Sequence, residues 1–400
     1  MKISVLTPTY NRAKMLDRLY VSLIINSNNC NSEIEWLIMD DGSTDETEKV
    51  IRQYTMERII EVKYFKQENQ GKMKALNNLM KHVTGEYLIE CDSDDYLANN
   101  AIKTIEQTIK ENEKVKNIYA YAFLKYDQNG ENMGNDFPED GHQSTMFDLY
   151  FKEEVTGEKA LVYKTRIRKD YEYEVEDGEK FITEASLHHE LDLKYNVLCF
   201  NKKIMICEYK DDGYSNNILK IFYRNPKGYY KYFKDMFYQD LTGVTPGKKW
   251  YMYKQYIMFS VLSKSKTWFK DIDGVGNKII VLLLYVPGAI ATKMKFKKVK
   301  TAMVQEKLDQ IRAERQKREE NKKSVRELID TDLYDDEVYN FGISVDEYDE
   351  DTEDDNKKSI FEKLKSKKDE IVNKGKSKIK SKKYLDDEDD EDYEDDDGEV

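Results

Sequence analysis

Through the first part of the chain, short apolar runs alternate with stretches whose apolar residues recur every three or four positions. ISVLTPTYN (3–11) predicts a strand ended by Pro8 and a turn. Met15, Leu16, Leu19, Tyr20, Leu23 and Ile24 then repeat at helical steps. IEWLIMDDGSTDE (34–46) predicts a second strand running into a turn, with Ser43 and Glu46 spaced as a capping box for a helix that carries Val50, Ile51 and Tyr54. IIEVKYF (59–65) predicts a third strand, GKMKALNNLMKHV (71–83) a helix, and EYLIEC (86–91) a fourth strand. Alternation of this kind specifies a parallel α/β sheet over roughly the first 110 residues.

The pattern then becomes mixed. NIYAYAFLKY (117–126), KALVYKTRI (159–167) and NVLCFNKKIMICEY (196–209) predict strands, with ITEASLHHELDLKY (182–195) as a helix between them. Beyond Gly213 the chain is aromatic, basic and mainly helical in pattern. IIVLLLYVPGAIA (279–291) is apolar for thirteen residues, short of the roughly 20 of a spanning helix, and Pro287-Gly288 interrupts it. TKMKFKKVK follows at once. Two readings stay open: an apolar–lysine stretch suited to the headgroups of an anionic membrane, or a core helix followed by a solvated basic stretch. KLDQIRAERQKREENKK (307–323) predicts a charged helix with too few apolar positions for a coiled coil.

Charge changes the picture at the C-terminal end. Of the net −13, the stretch Asp330–Val400 carries 28 acidic against 12 basic residues, leaving the body before it slightly basic. The acidic total therefore excludes neither a membrane nor a nucleic-acid surface on the body. The tail cannot bury a core and is expected to be disordered. Cys30, Cys91, Cys199 and Cys207 form no CxxC pair, which leaves zinc and thioredoxin chemistry without support. Free thiols, and a start MKISVLTPTY without a secretory apolar core, point to the cytoplasm.

Three polar clusters, TPTYN, DDGS and DSDD, fall at the carboxyl ends of predicted parallel strands and so converge on one crevice. In LIECDSDDYL (88–97), Asp92, Asp94 and Asp95 follow a buried strand. Clustered carboxylates need a cation or water among them. Hard oxygens suit Mg2+ or Mn2+, with Asp94 reaching the metal and Asp92 orienting a water or a ribose hydroxyl.

SVLTPTYNR, WLIMDDGSTDET, NQGKMKALN and GEYLIECDSDDYL, in this order and spacing, resemble the family 2 glycosyltransferases of GT-A fold over about residues 3 to 100. DGEKFITEASLHHELDLKY and CEYKDDGYSNN are similar to the acceptor half of bacterial members that build surface glycans. The resemblance implies a GT-A, Rossmann-like nucleotide-diphospho-sugar transferase fold in residues 1–215, divided into a donor half (1–110) and an acceptor half (111–215). A mainly helical extension (216–300), a charged helix (301–329) and the charged tail (330–400) would follow. It implies that Pro8, Tyr10, Asn11 and Arg12 hold the nucleotide base, usually uracil, and that Asp41 or Asp40 meets the base's ring N–H. Lys72 or Lys74 would lie near the diphosphate, with Asn77 also on the donor side. Asp92 and Asp94 would be the D-x-D pair for ribose and metal.

The same resemblance implies an inverting, metal-dependent transfer from a nucleotide sugar, UDP-linked for choice, to a hydroxyl of a glycan or lipid-linked acceptor. No nucleic-acid partner is expected, and the location expected is cytoplasmic, peripheral at the inner face of the cell membrane if the apolar–lysine stretch meets headgroups and not if it is a core helix. The acceptor's proton needs a base on the opposite face, and Glu184 matches the acidic position. Thr183-Glu184-Ala185 stands where the family usually has an ED pair, so Glu179 competes for the role. His188, one helical turn from Glu184, either touches it or the metal, or merely packs. His82 and His142 have no supporting context. Asp211 and Asp212 either shape the acceptor end or lie in an exposed loop. The rival readings are a non-catalytic nucleotide-sugar binder, which would share the aspartates but not need the base, and a membrane-tethered scaffold acting through the tail.

Overall fold

The computed structural model describes residues 1–207 and 218–334. Asp211, Asp212 and the charged tail beyond 334 lie outside the described residues. β1 (Lys2–Thr9), α1 (Leu16–Asn29), β2 (Glu33–Asp40), α2 (Thr47–Glu57), β3 (Glu61–Lys66), α3 (Lys72–Met80) and β4 (Tyr87–Glu90) alternate as the apolar pattern requires. After them come β5 (Tyr96–Leu97), α4 (Ala101–Glu111), β6 (Ile118–Tyr126), β7 (His142–Ser144), α5 (Met146–Phe151), β8 (Lys159–Lys164), α6 (Thr165–Arg168), α7 (Ala185–Asp192) and β9 (Asn196–Ile206).

Successive strand residues face opposite sides. Ile3, Val5, Trp36, Ile38 and Ile89 enter one core, beneath α1, α2 and α4. Leu6, Leu37, Met39 and Leu88 enter the other, beneath α3, α5 and α7. Both faces are covered, which is why these strands read as continuous apolar runs and not as alternating ones.

Among the described residues the sheet order is β3-β2-β1-β4-β8-β6-β9-β5, with β7 on β9. The first four strands are parallel. β8 runs antiparallel to both β4 and β6. The register sets Thr9 beside Asp40 and Leu6 beside Glu90. The loops after β1, β2 and β4 therefore leave the sheet at one edge, as the three polar clusters required.

The expected capping box does not form. α2 starts at Thr47, and Glu46 makes no side-chain cap. Ser43 Oγ instead accepts from the Asn11 amide at 2.9 Å, and the Asp45 carboxylate takes the Thr47 amide at 3.0 Å. Tying two site loops together has outcompeted the local cap.

At the opposite end of the strands, Glu35 is fully buried. It accepts from Lys63 Nζ (2.6 Å), from Thr84 Oγ1 and amide (both 2.7 Å), and from Ser4 Oγ. Burial alone would raise its pKa, but the bonds from Lys63, Ser4 and Thr84 outweigh burial and hold it below the usual carboxylate range. A depressed folded pKa gives stability that is full above the unfolded carboxylate value, about 4.3, and is lost as pH falls through the folded value. Glu35→Gln is therefore expected to cost about 2–3 kcal/mol at pH 7. It should also flatten the loss of urea midpoint between about pH 5 and 3 that the parent chain shows. A variant with the parent's acid profile would remove Glu35 as the cause.

The helical extension comprises α8 (Ile218–Arg224), α9 (Pro226–Asp235), α10 (Pro246–Leu262) and α11 (Val275–Tyr334). Thr245 caps α10, its hydroxyl accepting from the Lys248 amide, and Pro246 occupies the first turn. These helices share a third core around Tyr229, Phe233, Tyr256 and Phe259. The 279–291 run is not the short interrupted piece that Pro287-Gly288 suggests. It lies within α11, which continues through Pro287 into the charged stretch. Packing on both sides of the proline holds the helix: Val281 and Phe296 are buried, and a Cβ on Gly288 would stand 2.7 Å from Ile257 of α10.

Candidate active site

The three loops meet through their side chains. Asn11, held at φ +53, accepts the Thr44 amide on its Oδ1 at 2.8 Å, joining the loop after β1 to the loop after β2. Asn is among the few residues that take this left-handed conformation readily. Pro8 is buried in β1, Tyr10 stands 47 % exposed at the crevice, and Arg12 is half-buried. Asp40 is fully buried; it accepts from the Ser43 amide (2.7 Å) and Tyr64 Oη (2.9 Å). Asp41 accepts from Gln67 Nε2 (2.7 Å) and from the amides of Gln70 and Gly71 (both 2.8 Å). Both aspartates thus shape the crevice wall, and Asp41 orients the start of α3.

That start delivers Lys72. Its ammonium lies 2.7 Å from Asp92 Oδ2 and 2.6 Å from Glu184 Oε1. Burial would lower the lysine's pKa, but the two carboxylates outweigh it and raise the pKa well above the ordinary range. Lys74, two residues on, makes neither contact. Asn77 faces away from this cluster: its side chain closes a pair of bonds with the Tyr173 backbone (2.8 and 2.9 Å).

Asp92 and Asp94 occupy a turn after β4, closed by the Asp95 amide on the Asp92 carbonyl at 3.1 Å. Burial first, and the Asp92 charge second, raise the Asp94 pKa. Asp95 belongs to the core side of the turn. It contacts Lys125 (3.4 Å) and Cys207 Sγ (3.1 Å), and burial lifts it to about 6. Two hard carboxylates on an accessible turn fit Mg2+ or Mn2+, which use one or two protein carboxylates and fill the shell with water and phosphate. Among the described residues no group of three His, Cys, Asp or Glu is set to hold a metal. A substrate diphosphate would have to complete the shell.

Glu184 immediately precedes α7 but does not cap it. Its side chain extends into the crevice, 47 % exposed, and the Lys72 ammonium holds its pKa down at about 2. Glu179 is placed differently. It is buried, and its two oxygens accept the Lys227 and Gly228 amides at 2.7 and 2.8 Å, capping α9. His188 is buried against Tyr163, Nε2 to Oη 2.9 Å, and burial lowers its pKa to about 4, so it packs as a neutral ring. His82 stacks on Phe65, and His142 pairs with Glu153 at 2.7 Å.

A support beneath the site carried no sequence signal. Arg168, fully buried, donates Nη2 to Glu90 Oε1 at 2.9 Å and Nη1 to the Tyr171 carbonyl at 2.7 Å. Tyr173 Oη donates to the other Glu90 oxygen at 2.8 Å. Glu90 ends β4, two residues before Asp92, so this pair fixes the strand from which the acidic turn departs.

Gly71 is where α3 meets the segment leading to Glu184. Its φ is +95, and a Cβ there would lie 1.9 Å from the Lys180 carbonyl oxygen, a backbone atom with nowhere to go. Gly71→Ala is expected to cost about 3 kcal/mol in urea unfolding and to lower donor affinity as Lys72 moves. A full-affinity, fully stable variant would show that the two segments part freely.

The mixed α/β sheet thus brings a lysine, an aspartate pair and a separate glutamate to one crevice. Residues 4–170 match the family model described as Glycosyl transferase family 2. Over that span the chain is similar to this family. Among curated proteins it is 32 % identical over 111 residues to the Poly(ribitol-phosphate) beta-N-acetylglucosaminyltransferase TarS of Staphylococcus aureus, covering 28 % of this chain and 19 % of TarS. It is 29 % identical over 130 residues to the GalNAc(5)-diNAcBac-PP-undecaprenol beta-1,3-glucosyltransferase of Campylobacter jejuni, covering 32 % of this chain and 40 % of that one. The match thus spans well under half the length of these relatives. Among solved structures, S. aureus TarS 1–349 in complex with UDP-GlcNAc superposes with TM-score 0.46 at 16 % identity over 74 % of this chain and 92 % of that one. The mannosyltransferase PcManGT from Pyrobaculum calidifontis, in complex with GDP-Man and Mn2+, gives TM-score 0.43 at 16 % identity over 75 % and 86 %.

Proposed function

We propose that this protein is an inverting glycosyltransferase that moves a hexosyl or N-acetylhexosaminyl group from a UDP-sugar to a hydroxyl of a glycan or lipid-linked acceptor. The observation that carries the reading is the line Asp92–Lys72–Glu184, with bonds of 2.7 and 2.6 Å, at the carboxyl ends of the parallel strands. The match of residues 4–170 to the family model supports the reaction class. The curated relatives, named for N-acetylglucosamine and glucose transfer, support the sugar class. Free cysteines at all four positions fit a cytoplasmic location.

In this reading the base lies along the wall made by Pro8, Tyr10, Asn11, Arg12 and Asp41, and Lys72 turns from the carboxylates to the diphosphate. Asp92 and Asp94 would hold a divalent cation, which would supply charge neutralisation for the departing nucleoside diphosphate. Glu184 then faces the acceptor. The acceptor oxygen bonds to the anomeric carbon, the bond from that carbon to the diphosphate oxygen breaks, and the acceptor proton passes to the Glu184 carboxylate.

The test is calorimetric titration of UDP into the chain with and without Mn2+, followed by a panel of UDP-sugars scored for hydrolysis. UDP affinity should rise with Mn2+, and Asp94→Asn should lose most of that gain, on the order of tenfold or more. A folded protein indifferent to both UDP and Mn2+ rules the assignment out.

A further inference from the structure

α11 has two unlike faces. Val281, Thr292 and Phe296 are buried, Tyr285 stacks on Trp268 at 3.8 Å between centroids, and Glu306 receives the Lys220 ammonium at 2.8 Å. These contacts fix how the helix is rotated on the body. Ile279, Leu282, Leu283, Val286, Ile290 and Met294 lie on another face, with Leu283, Val286 and Met294 at 72, 66 and 69 % exposure. At about 100° per residue, this apolar stripe sits roughly 140° round the helix from the packed face. Lys293, Lys297 and Lys300 continue the same stripe, and all three are exposed. From Gly274 to Gln305 the sequence holds six lysines and no acidic residue.

We propose that this face of α11 docks on an anionic lipid surface and lies in its plane. The apolar side chains would enter the headgroup–acyl boundary, and the lysines would reach lipid phosphates on their flexible stems. By length and composition, Val275–Ala313 would serve to cross a membrane. A crossing helix, however, would have to abandon Val281, Tyr285, Thr292 and Phe296 to lipid and break the third core. An in-plane helix keeps them. A second copy of the chain is the poorer occupant, because pairing this face with itself sets lysines within an apolar seam that carries no carboxylate between 274 and 305. The inference is independent of sugar transfer, since it uses neither the crevice nor its residues.

The test is sedimentation of the full chain with phosphatidylcholine vesicles, with and without phosphatidylglycerol, in the absence of any nucleotide sugar. Binding is expected only to the anionic vesicles and should weaken as salt is raised. K293Q/K297Q/K300Q should lower the partition constant on the order of 100-fold, and L283S/V286S/I290S at least tenfold. Both sets are exposed, so an unchanged thermal midpoint is expected for each. Three results overturn the proposal: equal binding to neutral and anionic vesicles, anionic binding that neither variant weakens, or a chain that ignores vesicles but forms a dimer that L283S/V286S/I290S dissolves.

Discussion

Glu184→Gln is expected to bind UDP and its metal as the parent does and to lose transfer by a factor of ~10²–10⁴, the usual worth of a positioned general base. The substitution keeps the shape and the contact to Lys72 but removes the proton acceptor. Lys72 keeps Asp92 as a charge partner at 2.7 Å, so donor binding should survive. Glu179→Gln is the internal control. Its oxygens already serve two amides of α9, so it should cost about 1–2 kcal/mol of stability and leave turnover per folded molecule near the parent's. Measuring kcat and UDP affinity for both variants separates the roles. Unchanged turnover in Glu184→Gln would falsify its assignment as the base, and a large kcat loss in Glu179→Gln would move the role there.

Arg168→Leu is expected to destabilise the chain by about 3–5 kcal/mol, because it leaves the partly buried Glu90 without its cation. Glu90 is held by Arg168 Nε and Nη2 and by Tyr173 Oη. Removing the arginine also strips cation–π contacts to Tyr163 and Tyr173 at 5.8 and 5.0 Å. The discriminating variant is the double change with Glu90→Leu, which removes the stranded charge. It should recover a large part of the loss in urea unfolding. If the double variant is as unstable as the sum of the singles, the pair is not coupled, and the damage comes from lost packing alone.

Legibility followed the range of the interactions. β1 to β4 and their helices were readable because apolar period and turn residues are local signals, and both faces of these strands are covered. Asp92 was marked by its position after a buried run. Choosing Lys72 over Lys74 needed the path of α3, since both lysines satisfy the same local pattern. Arg168 was invisible: KTRIRKD reads as any surface-charged stretch, and only the chain's return along β8 to β4 buries one of its arginines. The capping-box spacing at Ser43 and Glu46 misled for the converse reason. A distant amide, that of Asn11, claimed the serine oxygen.

By itself the sequence determined the α/β order of the first half, the edge at which its polar loops emerge, and the carboxylates that crowd there. Those follow from hydrophobic period and from the direction of parallel strands, which neighbours within a few residues dictate. Only the tertiary structure decided which lysine stands between Asp92 and Glu184, and which glutamate faces the crevice. α9 draws Glu179 onto its own amides, the intervening backbone packs on Gly71, and Glu184 is thereby left pointing at Lys72. The physical reason is satisfaction of buried groups at long range. A helix N-terminus more than forty residues away needed an acceptor, and meeting that need with Glu179 left Glu184 as the glutamate that faces Lys72 in the crevice.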